Sequence, residues 1–373
     1  MKFSIAIIVV TIMTIGSCTQ KSILFTRHGA RSPKIYTEID RDYYWNINPE
    51  DLTEIGLQQH YALGQSKIGA QIMDLNGNCI YENLEIQAST DQRVILSTIG
   101  FLKGLCPLNY VDIIKKFFRE YYAQYSTNAE AWNLIMSSDF NNPLDLDLHY
   151  FFKPNDFLFH GHQQTVCPAL KSLKKQIQTS DYYKQKEKSF KSRQEFDEVF
   201  FIIQKAYPSK ILNKLSITLS EIQDIYDDYS CNRVQGFVFP NPSKSAVEFM
   251  EEVVRFIRYY EDNSELLENQ AQLTEPFKWL ISQLYSSTPF SWYSGHESNQ
   301  FAILSVISDV QPIIPFASQL DFIVKNDLVM IYFNKIHIQS KFCEDGYYCT
   351  RQQIVNYLMQ YIHPDINSLC SVK

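Results

Sequence analysis

Arg27-His28-Gly29-Ala30-Arg31-Ser32-Pro33 sets two guanidinium groups four residues apart around one imidazole, just after the apolar run Ile23-Leu24-Phe25. Each residue type has a use toward a phosphoryl group. Arginine stays charged at any working pH, and its planar fork pairs with phosphate oxygens. An imidazole nitrogen is a competent nucleophile that can carry a covalent intermediate. Gly29 puts no side chain in the way of an anion, backbone N–H groups of the turn can join the cradle, and Pro33 fixes the exit of the chain.

The elements that must present these groups come next. Ile23-Leu24-Phe25 reads as a buried strand with the seven residues at its carboxyl end, where open α/β sheets bind ligands. Leu84 to Ala88 reads as a second core strand, followed by Ser89-Thr90-Asp91-Gln92-Arg93 leading into a helix. The aromatic run around Ser291-Trp292-Tyr293-Ser294-Gly295 reads as another strand, which delivers His296 and Glu297. Leu52-Thr53-Glu54-Ile55-Gly56-Leu57-Gln58-Gln59 opens a helix, with Asp51 and Glu54 as its capping box.

These four stretches, in this order, resemble the histidine acid phosphatases, a branch of the histidine phosphatase superfamily. The first matches that family's Arg-His-Gly-x-Arg-x-Pro signature, and the helix start resembles its Leu-Thr-x-x-Gly-x-x-Gln. The resemblance implies that His28 is a nucleophile that becomes phosphorylated, and that Arg27, Arg31, Arg93 and His296 hold the phosphate. Glu297 falls on the proton donor, where the family usually has aspartate; some relatives that act on inositol polyphosphates also use glutamate. The implied fold is α/β, a three-layer sandwich with a central mixed or parallel sheet flanked by helices, plus a smaller, mainly helical cap inserted in it. The expected division is a signal peptide at 1–18, a phosphatase core at 19–106 and 241–373, and the cap at 107–240.

The expected activity is hydrolysis of phosphate monoesters through a phosphohistidine, at acid pH because a carboxyl group donates a proton only while protonated. No metal or cofactor is expected, since the arginines supply the positive charge. Three rivals stand beside it: an inositol polyphosphate phosphatase or phytase of the same superfamily, a phosphomutase of the wider superfamily, against which the leader and cysteines argue, and a catalytically silent member that only binds phosphorylated ligands.

Composition bounds the rest. A formal charge of −7 argues against a nucleic-acid binder, so the positive charge that grips phosphate must be local. Lys2, the mostly apolar run from Phe3 to Ile15 and the small residues Gly16-Ser17-Cys18 read as a secretory leader, too short to span a membrane comfortably. The expected location is outside the cell or in the lumen of a lysosome or vesicle, with no stable membrane span.

Eight cysteines fit an oxidising compartment. Cys343 and Cys349 bracket a short loop containing Asp345-Gly346 and are natural partners. The family resemblance implies a bridge between Cys167 and Cys370, and the loss of another, because Gln319 stands where Cys231 would find its partner. Cys79 and Cys106 can pair, leaving Cys231 free, although sequence alone does not fix connectivity.

In the middle region Phe196, Val199, Phe200, Ile203 and Tyr207 recur at helical spacing. The basic stretch from Lys171 to Arg193 reads as a solvated helix face. His160-Gly161-His162 has the look of a metal pair, but no carboxylate cluster surrounds it in sequence, and a loop beside the cap is the reading. Ser245 and Glu248 form a capping box for an amphipathic helix reaching about Tyr259, Thr350 with Gln353 caps a last helix near Cys370, and Leu328 to Phe333 reads as a buried strand.

Overall fold

Seven strands join in one mixed sheet in a computed structural model that describes residues 20–38, 45–69, 71–208, 213–237, 241–344 and 346–371. The leader expected at 1–18 lies outside the described residues, as does Asp345. The strands are β1 (Gln20–Arg27), β2 (Leu84–Ala88), β3 (Phe290–Gly295), β4 (Gln319–Lys325), β5 (Leu328–Phe333), β6 (Ile336–His337) and β7 (Cys349–Thr350). Their order is β2-β3-β1-β4-β5-β6, with β7 also paired to β5. The neighbours β2, β3 and β1 run parallel, and β4 onward is antiparallel.

Side chains of the central strands alternate between two apolar clusters, one on each face. Leu24, Ile86 and Trp292 pack on one side, and Ile23, Phe25 and Tyr293 on the other. Burial on both faces is why these strands read as nearly continuous apolar runs. β5 departs from that reading: Val329, Ile331 and Phe333 are buried but Leu328 is exposed, as suits an antiparallel strand with one face on the core. The first face is covered by the helices α1 (Glu54–Gln65) and α2 (Gln92–Leu105), and the second by Leu266–Tyr285 and Glu297–Ile307. These are the three layers of the expected sandwich.

Between α2 and β3 the elements of the described residues are all helical, joined by several long loops. Phe117, Phe118, Tyr122, Phe140 and Phe151 pack with α2 and the sheet. From Ile177 to Ile257 a third cluster forms, in which Phe196, Val199, Ile202 and Ile203 meet Phe249 and Val253. Much of the basic stretch from Lys171 to Arg193 is ion-paired: Lys174 with Glu261 and Asp262, Lys191 with Glu187, and Arg193 with Glu195 and Glu252.

Two helix starts are set two residues from the expected caps. Thr53, not Asp51, caps α1: its hydroxyl accepts from Gly56 N and donates to the Ala30 carbonyl, while the Asp51 carboxylate accepts from Asn48 and pairs with His149. Ser243, not Ser245, caps Lys244–Phe256. Thr350 and Gln353 do form a reciprocal capping box, but a further short helix, Ile366–Cys370, follows. Disulfides join Cys79 to Cys106, Cys167 to Cys370 and Cys343 to Cys349; Cys231 is free and buried.

Candidate active site

Strand register brings three distant parts of the chain to one edge. Arg27 at the end of β1 lies opposite Gly295 at the end of β3, and Ala88 at the end of β2 lies opposite Ser294. The ladder runs on past the strands, with His28 N donating to the Gly295 carbonyl and Ser89 N to that of Ser294. His28, Ser89 and His296 are thereby delivered side by side at the carboxyl edge.

The signature loop is held from below by α1 and α2. Ala30 N donates to Gln59 Oε1 and Gly29 N to Ser97 Oγ, and His60 bonds the Arg27 carbonyl. Gly29 has a different use from the one its neighbours suggested. A Cβ there would overlap the carbonyl of Gly56, so the glycine admits α1 rather than the anion.

Arg27, His28, Arg31, Arg93, His296 and Glu297 all line one cleft of about 760 Å³. His28 is buried, and its Nδ1 is 2.8 Å from the Gly29 carbonyl. A carbonyl only accepts, so Nδ1 carries the hydrogen. Burial, and then the charges of Arg93, Arg27 and Arg31, hold the imidazole well below the ordinary histidine pKa. The ring is neutral, and Nε2 keeps a free lone pair.

The three arginines are each tied to a carboxylate. Arg31 makes a bidentate pair with Asp227 at 2.8 and 3.1 Å, Arg93 pairs with Asp91 at 2.8 Å, and Arg27 pairs with Glu297 at 2.8 Å. Burial would raise the Asp227 carboxyl, but Arg31 outweighs it and holds Asp227 below the usual range. Arg27 also lies over the Phe316 ring, 4.1 Å from its centroid. What remains is notable for its type: the Nε atoms of Arg27, Arg31 and Arg93 are all buried and have no hydrogen-bond partner among the described residues.

His296 caps Glu297–Ile307, and its backbone N–H donates to Asn299 Oδ1. Burial, and then Arg93 and the neighbouring imidazoles, push it well below the ordinary value. Glu297, in the first turn of that helix, reaches two arginines at once: Oε2 meets Arg27, and Oε1 lies 3.4 Å from Arg258 Nε. Arg258 belongs to the π-helical segment Ile257–Glu261 and pairs with Asp262 at 3.0 Å.

Several of these partners have no sequence signal. Asp227 sits in the acidic helix Leu219–Val234 beside Asp228 and looks like any solvated acid. Arg258 lies in a predicted amphipathic face. Ser89 and Asp91 share the stretch that leads to Arg93, and neither carries a signal of its own. His160 has no carboxylate near it in sequence and ends a short helix, Phe157–His160, where a loop is expected; the fold supplies Asp91 and His296 from elsewhere in the chain, each within 4.0 Å or one hydroxyl of its Nε2.

The chain belongs to the histidine phosphatase superfamily, branch 2, whose family model matches residues 20–319. A Caenorhabditis elegans protein carrying the name "Putative acid phosphatase 5" is 22% identical over 372 residues, spanning 93% of this chain and 78% of its own. Among solved structures, the phytase of Hafnia alvei in complex with myo-inositol hexakis sulphate superposes with a TM-score of 0.65 at 13% identity, covering 95% of this chain and 98% of that one. The multiple inositol polyphosphate phosphatase of Bifidobacterium longum, as its phosphate complex, superposes with a TM-score of 0.57 at 11% identity, covering 95% of each chain. These superpositions support the α/β fold. At the level of the family, the chain is a phosphatase of the histidine acid type.

Proposed function

We propose that the protein hydrolyses small phosphate monoesters in acid through a phosphohistidine at His28. The observation that carries this reading is the gathering of Arg27, Arg31 and Arg93 in one cleft with a neutral imidazole whose Nε2 lone pair is free. The phosphoryl oxygens take up the guanidinium groups of Arg27, Arg31 and Arg93 together with His296. His28 Nε2 attacks phosphorus in line, and the bond to the ester oxygen breaks as Glu297 gives that oxygen its proton. Glu297, now a carboxylate, takes a proton from water as the water attacks phosphorus. The P–N bond breaks, and inorganic phosphate leaves with His28 regenerated. Arg258 keeps hold of Oε1, so Oε2 is the oxygen that serves the leaving group once phosphate has drawn Arg27 away.

The helical region between α2 and Lys244 acts in this reading as the cap, since Tyr226, Asp227 and Tyr229 of Leu219–Val234 line the cleft. The outer cleft mixes Asp224 and Glu251 with Lys34 and Arg233, which suits a small monoester better than a polyanion. The size of the cleft favours the second reading, an inositol polyphosphate phosphatase. Three disulfides support an oxidising compartment, outside the cell or in a vesicle lumen. No described helix is long and apolar enough to cross a membrane.

The test is to trap the phosphoenzyme. Wild-type protein quenched during turnover of an aryl phosphate in acid should carry an acid-labile, alkali-stable phosphate, and His28→Ala should carry none and lose activity by about a thousandfold or more. Undiminished turnover by His28→Ala would exclude the mechanism. Product analysis with inositol hexakisphosphate separates the two substrate readings.

A further inference from the structure

Beside the cleft that His160 and His296 line, a second set of groups gathers that the reaction above does not use together. His296 Nε2 and His160 Nε2 both lie 3.1 Å from Ser89 Oγ, one on either side of it. The Asp91 carboxylate closes the third side, 3.3 Å from His296 Nε2 and 4.0 Å from His160 Nε2. The three potential ligand atoms all fall within 4.8 Å of one another.

We propose that Asp91, His160 and His296 form a zinc site at the edge of the cleft, and that a zinc ion there excludes phosphate. Two imidazole nitrogens and one carboxylate oxygen are a donor set that Zn²⁺ takes, at about 2.0–2.2 Å per bond. A contraction of less than about an ångström at each ligand brings the observed spacing to that geometry. Nitrogen donors select zinc over magnesium or calcium, which prefer all-oxygen shells.

The ligands come from three separate segments with fixed backbones. Asp91 is the N-cap residue of α2, His296 that of Glu297–Ile307, and His160 ends the short helix Phe157–His160. The Gln163 amide lies 3.0 Å from His160 Nδ1, where a metal-bound imidazole needs an acceptor for its other N–H; its oxygen serves when the amide is turned. Asp91 can keep Oδ2 on Arg93 and offer Oδ1 to the ion. His296 lines the cleft, and ion and ester both require it, so they compete.

The site stands on geometry alone; only the competition rests on the phosphatase reading. The experiment titrates Zn²⁺ against aryl phosphate hydrolysis, with each variant normalised to its own uninhibited rate. Zinc should raise KM and leave kcat unchanged, and Mg²⁺ at the same concentration should do nothing. His160→Ala should need about tenfold more zinc or greater, and Asp91→Asn should shift the same way. His162→Ala, whose ring centroid lies 6.2 Å from that of His160, should match wild type. Equal zinc sensitivity in wild type and His160→Ala, or a fall in kcat at constant KM, would overturn the proposal. Cobalt titration provides a readout that needs no turnover: visible d–d bands in wild type that His160→Ala lacks support the site, even if no variant hydrolyses phosphate. Wild-type protein without such bands sinks the site whatever its activity.

Discussion

Glu297 Oε2 lies 2.8 Å from Arg27 Nη1, so the expected proton donor and one arm of the expected phosphate clamp hold each other before substrate arrives. Both groups have work that requires them apart. An arriving phosphate must displace the carboxylate from Arg27, and the displaced group must carry a proton before it can serve the leaving oxygen. Donor and clamp are thus coupled through one ion pair, buried on the arginine side.

That coupling gives Glu297→Gln an unusual signature. The amide no longer competes for Arg27, so inorganic phosphate should bind about three- to tenfold tighter, as loss of a competing ion pair worth about 1 kcal/mol implies. Turnover should nevertheless collapse, and more for alkyl than for aryl phosphates, because only the former need a proton on the leaving oxygen. Phosphate titration calorimetry beside a leaving-group series reads both. Weaker phosphate binding would show that the pair does not oppose substrate.

Arg258 should matter through Glu297 and not through phosphate. Arg258→Met frees Oε1, so kcat on alkyl phosphates should fall about tenfold with little change on p-nitrophenyl phosphate and little change in KM. A KM effect that is equal across leaving groups would assign Arg258 to substrate binding instead.

Asp227 fixes the fork of Arg31 from the far side of the cleft, with one oxygen on each terminal nitrogen. Asp227→Asn keeps the size but loses the charge and one acceptor. KM for a monoester should rise about tenfold, equivalent to about 1.4 kcal/mol, with a smaller change in kcat. Steady-state kinetics at saturating and limiting substrate separate the two.

Stability should fall as the medium becomes acid. Burial lowers His60 from 6.5 to about 4 and, helped by the charge of His160, lowers His162 to about 3, while His28 and His296 are also held well below 6.5. Below pH 6.5 the unfolded chain takes up these protons and the folded chain does not, so stability is lost between pH 6.5 and the folded values. His60 alone accounts for about 3 kcal/mol of that loss by pH 4. Urea unfolding at pH 7 and pH 4 should show the difference shrinking by roughly that amount in His60→Gln, whose amide can still donate to the Arg27 carbonyl. An unchanged difference would remove His60 as a source.

The groups legible in the sequence were those whose position follows from local geometry. Arg27, His28, Arg31, Arg93, His296 and Glu297 each lie within a few residues of a strand end, and the apolar run that makes the strand also announces where it stops. Asp227, Arg258 and His160 reach the cleft from helices whose docking is decided by distant packing, and nothing local marks their direction. Cap positions slipped for a related reason. Asp51 and Ser245 are good caps in isolation, but Thr53 also satisfies the Ala30 carbonyl, and Ser243 also donates to Glu198. The two-residue shifts were chosen by partners outside the helix.

The overlap that a side chain on Gly29 would make with Gly56 separates two kinds of information in the opening run. His28 and the arginines report chemistry, whereas Gly29 reports how closely a helix is seated against a loop. A descendant of this chain that lost its nucleophile would still need the glycine pair to fold. In surveying unfamiliar sequences, the glycine therefore marks shared ancestry and architecture, and working enzymes must be recognised by the charged and imidazole positions on either side of it.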